Sequence, residues 1–321
     1  MEYHQPDDRW EIFGIKDFDT YQRDLVLKGL FHKNVPKDVT DSYVLCEYMM
    51  AHAYYHYPLF DEALSKLLRI IEMAVKLRCK ELGISLETKK IKPKNKRPYK
   101  KTFSVLINDV DNVETAKKIK YALDQFRSLR NIFMHPEIHS FSGATVRNGI
   151  KFGIIILNML FLPDKLFIEM GAEIGRIKTK SQSFNKDLLV LESKDKRILV
   201  EDIGIMGAIP LESGWQYFLV ARPVLDIPDP KEFTYAVPIT VEVSNIQFNE
   251  QQCLMKMIET GEIIIVSITE HPDYLAKLKK FQQLKNSLNK IDSIMWQQVV
   301  QMDIVKKKNE FWYKSLWKSV I

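Results

Sequence analysis

Residues 60–84 read FDEALSKLLRIIEMAVKLRCKELGI, and this stretch decides the fold predicted for the first half of the chain. Its apolar residues recur with the i, i+3, i+4 spacing of one helical face, and Gly83 stands where such a helix would end. The apolar positions are Leu64, Leu67, Leu68, Ile71, Ala74 and Val75. A helix with one apolar face packs that face against other elements, so we expect further helices beside it.

Three other amphipathic segments supply those helices. The segment YVLCEYMMAHAYYHY follows Thr40 or Asp41 as a cap, and Pro58 ends it. Residues 113–135, VETAKKIKYALDQFRSLRNIFMH, begin at a sequence that resembles a capping box, and Pro136 ends them. Their apolar face comprises Ile119, Ala122, Leu123, Phe126, Leu129, Ile132 and Phe133. With a fourth helix over residues 146–162, the pattern predicts a helical bundle.

The pattern changes after about residue 175. Short apolar runs separated by turn residues predict strands at DLLVLES, RILVEDI, GWQYFLVARPV, TYAVPITVEVSNI and GEIIIVSIT. A helical pattern returns from Pro272 and continues into a tail that carries Trp312 and Trp317. The predicted fold class is α+β: an all-α bundle over residues 1–170, followed by a β-rich domain with C-terminal helices over residues 171–321.

The composition excludes several classes of protein. Among 321 residues, 46% are hydrophobic and 27% are charged, which excludes a disordered or low-complexity chain. Three cysteines cannot form a disulfide framework, so we expect a reducing compartment. The first residues lack the basic and apolar regions of a signal peptide, and the longest apolar stretch, residues 150–162, is too short to cross a bilayer. We therefore expect a cytoplasmic protein with no membrane partner.

Positive charge is concentrated between Lys89 and Lys101, in the sequence KKIKPKNKRPYKK. This segment holds eight basic residues and no acidic one, and the rest of the chain holds 39 basic and 41 acidic residues. Two prolines exclude a helix interior, so the segment is predicted to be a flexible loop. A cationic loop suits a polyanion such as RNA, with Lys94, Lys96, Arg97, Lys100 and Lys101 as the candidate contacts. A solvated loop that only aids solubility remains an open alternative.

One group of residues is suited to catalysis. It lies at the end of the third predicted helix and reads Arg130-Asn131-Ile132-Phe133-Met134-His135. Five residues advance a helix by roughly 140° and 7.5 Å, so Arg130 and His135 can face one cavity from adjacent turns. A histidine moves a proton near neutral pH, and an arginine binds a phosphate while remaining charged. The pair suits metal-independent attack at a phosphodiester, for which RNA supplies its own 2′-hydroxyl. Glu72, in an apolar part of its helix, could orient an arginine or form a surface ion pair.

Metal and cofactor sites are less well supported by the sequence. His135 and His139 have a metal-ligand spacing, but Pro136 breaks the helix between them, and no cysteine cluster accompanies them. His52 and His56 lie among tyrosines, which favours a packed or interfacial aromatic face. There is no glycine-rich phosphate loop in the sequence, so we predict no cofactor and no metal.

The sequence LRNIFMH, residues 129–135, resembles the Arg-x4-6-His motif of the higher eukaryotes and prokaryotes nucleotide-binding (HEPN) domain family, in which a polar residue follows the arginine. The likeness covers roughly residues 35–165, including LLRIIEMAVKLRCKELGI as the preceding helix. It implies a helical bundle and a metal-independent endoribonuclease whose motif is completed by homodimerisation. Arg130 and His135 would then be catalytic, with Asn131 in support. Pro136-Glu137 and the basic insert at residues 88–102 depart from the family pattern.

The resemblance also implies a wider role. Many members act as toxins or antiviral-defence effectors, so a cognate antitoxin or regulatory partner could bind the C-terminal domain. Two alternatives remain open from the sequence: a catalytically silent HEPN module used for dimerisation or nucleotide binding, and a non-specific nucleic-acid-binding protein.

Overall fold

The computed structural model describes residues 4–91, 98–134, 143–185, 187–194, 196–225 and 237–319. Two compact units divide the chain between Phe167 and Ile168. We refer to them as the helical unit and the barrel unit, and each is described by itself. None of the helices in the described ranges combines the length and the apolar character that crossing a membrane requires.

The helical unit consists of helices and one two-stranded hairpin. Its elements are α1 (Phe18–Leu25), α2 (Lys37–His52), α3 (Leu59–Glu81), β1 (Glu87–Ile91), β2 (Pro98–Lys100), α4 (Phe103–Asp109), α5 (Glu114–Met134) and α6 (Arg147–Leu160). A further helix, α7 (Asp164–Phe184), begins in this unit and continues into the next.

Helix α3 is the centre of the helical unit, because it contacts α2, α5 and α6. All six apolar positions predicted for its buried face are less than 5% exposed. Two of these neighbours also contact each other: Phe126 of α5 stacks on Phe152 of α6, with ring centroids 5.8 Å apart. The prediction of consecutive helices that bury a shared core is confirmed, and α3 is its best-buried member.

Several predicted boundaries in this unit are wrong. Helix α2 begins at Lys37, directly after Pro36, and ends at His52, because residues 53–58 form turns before α3. Helix α4 was not predicted; its short sequence, FSVLIND, holds less than two turns of pattern. The apolar face of α5 is buried as far as Phe126, whereas Leu129 and Ile132 are 37% and 65% exposed.

The two described ends of the basic segment form strands, which was not predicted. Strand β1 pairs antiparallel with β2, so Glu87 lies opposite Lys100 and Ile91 opposite Pro98. The two ends of the segment are therefore strands of a hairpin instead of a flexible loop, and Pro98 occupies the first position of its strand, where its missing N–H is tolerated. Lysine-rich strands carry little hydrophobic pattern, which explains why the sequence did not reveal them.

A buried polar contact ties the N-terminal segment to α6. The His32 backbone N–H donates to Asn158 Oδ1 at 3.0 Å, and His32 Nε2 lies 2.8 Å from the Asn158 backbone oxygen. The Asn34 N–H donates to His32 Nδ1 at 3.3 Å. The ring therefore accepts at Nδ1 and donates from Nε2, which is the neutral form, and burial lowers the pKa of His32 below its ordinary value of 6.5.

The lowered pKa predicts acid sensitivity. The unfolded chain binds a proton at this position below about pH 6.5, while the folded chain resists it until a lower pH. The stability contributed by neutral His32 is complete above that pH and is lost as the pH falls, by up to about 1.4 kcal/mol per pH unit. In urea titrations between pH 7.5 and pH 5, which spans about that window, the His32→Gln variant should show a shallower pH dependence than the wild type. His56→Gln, at an exposed position, should retain the wild-type slope, and equal slopes for all three proteins would contradict the prediction.

The barrel unit is built on six antiparallel strands. They are β3 (Leu189–Ser193), β4 (Lys196–Leu211), β5 (Gly214–Pro223), β6 (Ile239–Phe248), β7 (Gln252–Met257) and β8 (Ile263–Ile268). Each strand pairs with the next, and β8 pairs with β3, so the sheet closes into a barrel. The long strand β4 carries two irregularities, near Val200–Asp202 and Ile205–Gly207, where it can bend to follow the curved sheet.

The β-rich character and the C-terminal helices are confirmed, with differences in detail. Strand β7 was not predicted, β4 is longer than RILVEDI, and the region after residue 175 remains helical as far as Phe184. The two C-terminal helices are α8 (Pro272–Ser287) and α9 (Lys290–Ser315). They are separate because Asn289 caps α9 by accepting the Asp292 N–H at 2.9 Å.

The interior of the barrel is filled by side chains. Every second residue of the strands points inward, including Leu189 and Leu191 of β3 and Ile264 and Val266 of β8, and Ile177 and Phe184 of α7 join the same core. The space left beside Ile177 measures about 10 Å³. This interior is too small for a ligand, so a site in this unit would have to lie on its outside.

Candidate functional site

The structure joins two residues that the sequence analysis considered separately, Arg130 of α5 and Glu72 of α3. The Arg130 Nη2 atom lies 2.8 Å from Glu72 Oε2. Their side chains are 29% and 16% exposed, so the ion pair is largely shielded from water. Glu72 therefore does pair with an arginine, which is the one in the Arg-x4-6-His motif; that it orients Arg130 for catalysis stays a prediction.

Glu72 is shared between two cations. Lys76, one turn further along α3, places its Nζ atom 2.6 Å from Glu72 Oε1. One carboxylate therefore stands between an ammonium and a guanidinium, and the three side chains carry a net charge of about +1 at neutral pH. Such a cluster leaves a positive field at the end of α5, where an anion can bind.

Arg130 retains hydrogen-bonding capacity beyond this pair. A guanidinium has five N–H donors, of which Nη2 serves Glu72, and Nη1 lies 3.5 Å from the Asn131 amide oxygen. Among the described residues, Arg130 Nε has no hydrogen-bond partner. That atom is buried, as are the unpartnered Nε atoms of Arg78 and Arg147. The Arg130 side chain as a whole is 29% exposed, so the donors on its Nη atoms are the best-supported anion-binding group of the motif.

The motif is only partly described. Asn131 is exposed beside Arg130, while His135 and His139 lie outside the described residues, so the separation of arginine and histidine remains a prediction. Leu129 and Ile132, also on the last turns of α5, expose aliphatic surface. The helix thus ends in a patch that mixes a held guanidinium, an amide and apolar side chains.

After residues 135–142, the described part of the chain resumes at Gly143. Hydrogen bonds connect this residue and the next to the beginning of α3 and to Tyr57 just before it. The Gly143 N–H donates to Asp61 Oδ2 at 2.8 Å, and the N–H of Ala144 donates to the Tyr57 hydroxyl at 3.1 Å. Gly143 has a φ of 54°, and a Cβ atom there would lie 1.8 Å from the Tyr57 ring. Only glycine fits both the backbone conformation and the space.

The candidate RNA contacts are distributed unevenly. Lys94, Lys96 and Arg97 lie outside the described residues, and Lys100 is exposed on β2. Lys101 is only 16% exposed, and its Nζ atom lies 2.9 Å from Asp109 Oδ2 of α4. Lys101 therefore connects the end of β2 to α4 and is less available for an RNA phosphate than the exposed Lys100.

The aromatic face proposed around His52 and His56 is mostly core. Tyr54 and Tyr57 are buried, and Tyr57 packs against Trp10 at 4.7 Å between centroids. Tyr48 remains 61% exposed and lies against the His52 ring at 4.2 Å. In the described part of the chain, no group of three or more His, Cys, Asp and Glu residues is arranged to hold a metal ion.

One cavity on the outside of the barrel unit has a volume of about 470 Å³. Its charged residues are paired within the protein: Lys285 with Glu201 at 3.0 Å, and Arg222 with Asp202 at 2.9 Å. Balanced pairs of this kind attract an ion less strongly than the unbalanced cluster at Glu72. We therefore place the candidate site at Glu72 and Arg130, although this cavity is large.

Comparisons of the chain with protein-family models, with curated proteins and with solved structures find no match. The functional interpretation therefore rests on the residues themselves and on the motif that they form.

Two features of the site were missed by sequence reasoning. Lys76 follows Glu72 by four residues, which is a spacing that predicts an ion pair on a helix. Gly143 had no such signal, because its role depends on Tyr57 and Asp61, which are more than 80 residues earlier in the chain.

The fit at Gly143 predicts a large and specific loss of stability. Gly143→Ala combines a positive φ with a clash against Tyr57, and we expect it to lower the free energy of unfolding by about 2–4 kcal/mol. Gly83→Ala is the matched control, because Gly83 has a φ of 69° with no neighbouring atom within 4 Å of the new Cβ. It should cost only about 1 kcal/mol. Equal losses in urea unfolding would show that Tyr57 does not confine this residue.

Proposed function

We propose that the protein is a metal-independent endoribonuclease of the HEPN type, with Arg130 and His135 as its catalytic residues. The observation that supports this proposal is the Arg130 guanidinium, which Glu72 holds at 2.8 Å and whose side chain remains 29% exposed. A guanidinium that is oriented by a carboxylate, and still has free donors, suits the charge that develops on a phosphate under attack.

The proposed reaction uses the 2′-hydroxyl of the RNA as nucleophile. The 2′-oxygen bonds to phosphorus, the bond from phosphorus to the 5′-oxygen breaks, and the products are a 2′,3′-cyclic phosphate and a 5′-hydroxyl. His135 transfers protons in this step, Arg130 stabilises the phosphate oxygens, and Asn131 supports them as a polar neighbour. No atom of a cofactor or metal enters this balance.

A homodimer is part of the proposal. Leu129 and Ile132 expose aliphatic surface on both sides of Arg130 in sequence. A second copy that covered this patch would bury it and would bring a second His135 to the same cleft. Exposed apolar side chains next to the motif support an interface between two copies at this site.

The basic hairpin is proposed to guide RNA toward the site. Its residues Lys94, Lys96, Arg97 and Lys100 would contact phosphates, which carry no sequence information. A toxin or defence role with a cognate antitoxin follows from the family resemblance alone, and the cytoplasmic location follows from the composition; both belong to the same proposal. The second candidate function, non-specific nucleic-acid binding without catalysis, is favoured by the exposed Lys100 and by the basic composition around it.

The first test measures cleavage of total RNA in the presence of EDTA. The wild type should cut, and Arg130→Ala and His135→Ala should each lose roughly 10²-fold or more of the rate. Arg127→Ala is the matched control, because Arg127 lies one turn earlier on α5, is 32% exposed and pairs with Asp124. It should cut like the wild type.

The products decide between mechanisms. Cleavage that EDTA abolishes, or products that carry a 5′-phosphate, would contradict the proposed reaction. Binding of RNA without any cleavage by the wild type would instead support the second candidate function.

A second test addresses the hairpin. Replacing Lys94, Lys96, Arg97 and Lys100 by Ser should weaken RNA binding and flatten its salt dependence by about 0.7 in the log–log slope for each lost phosphate contact. Lys101 is kept because it braces Asp109. Cleavage at saturating RNA should survive. The control replaces four lysines that are exposed elsewhere, so that the same charge is removed: Lys33, Lys37, Lys279 and Lys280. An equal effect of the control would show that the basic segment contributes only through the net charge of the protein.

A further inference from the structure

Helix α9 is apolar on two opposite sides, and the barrel unit uses only one of them. On the first side, Ile304 and Phe311 are buried, and Phe311 stacks on Phe218 of β5 with centroids 5.6 Å apart. The close approach is allowed by Gly207 of β4, where a Cβ atom would lie 2.9 Å from the Phe311 ring. This face anchors the C-terminal half of α9 to the outside of the barrel.

The second side is a stripe of exposed hydrophobic residues along the N-terminal part of the helix. Their exposed fractions range from 41% to 72%, and they are Ile291, Ile294, Met295, Val299, Met302 and Val305. Successive members are separated by one, three or four residues, so they share one face of about 140°. A helix face with this much exposed apolar surface indicates an interaction site.

Four residues of the stripe, with the polar Gln298 between them, follow the spacing of a helix-pairing seam. Ile291, Met295, Gln298, Met302 and Val305 alternate at four and three residues, which is the a/d spacing of a coiled coil. One flank of this seam carries Asp292, Val299 and Lys306, each seven residues from the next. An acidic residue therefore stands at one end of the flank and a basic residue at the other, with an apolar residue midway.

We propose that this face of α9 binds the same face of a second copy of the chain, with the two helices antiparallel and the two-fold axis near Val299. In an antiparallel pair, corresponding flanks meet each other, so Asp292 faces Lys306 of the second copy and Lys306 faces Asp292. In a parallel pair these two residues would lie on opposite sides of the seam. The charge order on the helix thus selects both the partner and the direction.

The extent of the contact predicts a weak dimer. From Ile291 to Val305 the seam is about 21 Å long, or four helical turns. Such a pair buries less than the roughly 1,200 Å² of a standard stable interface, so we expect a dissociation constant in the micromolar range. The contact lies in the barrel unit and does not depend on the proposed ribonuclease function.

The test uses a cysteine at the predicted axis. Val299→Cys in the full chain is treated with a bis-maleimide that spans about 10 Å, close to the distance between packed helix axes. The native Cys46, Cys79 and Cys253 are buried and are not expected to react. The variant should form a covalent dimer at tens of micromolar protein, about its predicted dissociation constant. Lys279→Cys, on the exposed surface of α8, should not.

Charge reversal then checks the direction of the pair. In the Val299→Cys background, Asp292→Lys should lower the crosslinked yield about tenfold, because it places like charges together at both ends. Adding Lys306→Asp should restore the yield. Arg130→Ala should leave the yield unchanged, so a failure of the ribonuclease proposal is distinguishable from a failure of this one.

Three outcomes would overturn the inference. These are a yield no higher than that of Lys279→Cys, a yield that Asp292→Lys does not change, and a double charge reversal that fails to restore the yield. The first outcome would also be expected if the stripe is covered by another part of the same chain.

Discussion

The carboxylate of Glu72 is the contact on which the candidate site depends. A half-buried carboxylate costs desolvation free energy, and this cost is offset only if cations remain close to it. Arg130 at 2.8 Å and Lys76 at 2.6 Å meet that requirement from two helices. The ion pair therefore does two things at once: it joins α5 to the central helix, and it fixes the direction of the one guanidinium that the motif provides.

Helix α3 also contacts the chain after the candidate histidine, where the description resumes at Gly143. Asp61, in the first turn of α3, accepts the Gly143 N–H, and Glu72 lies about 16 Å further along the same helix. Both ends of the segment 135–142 are thus attached to one rigid element. A buried helix with a complete apolar face moves little, so the attachments at its polar edge keep a defined separation.

Much of this architecture could be predicted because helical periodicity is a local property. The buried face of α3 follows directly from residue spacing, and so does the start of α5. Strand β7 (QCLMKM) and the glycine-containing end of β4 were missed, because short strands owe their stability to pairing partners that are distant in sequence. The same reason applies to the site. Glu72 could be suspected from its apolar context, whereas the roles of Gly143 and Asp109 depend on tertiary contacts.

The arrangement around Arg130 explains why an arginine, and not a lysine, suits this position. A lysine ammonium is a single point charge. At position 130 it would pair with the Glu72 carboxylate, which Lys76 already binds, and it would have no second set of donors for an anion. The planar guanidinium can bind the carboxylate through Nη2 and still present Nη1 in another direction. An anion that approaches Arg130 therefore does not have to displace Glu72. In the proposed reaction, the carboxylate would remain bound as the orienting group while another donor of the same guanidinium contacts the phosphate oxygens, which is the arrangement that the proposed role of Arg130 requires.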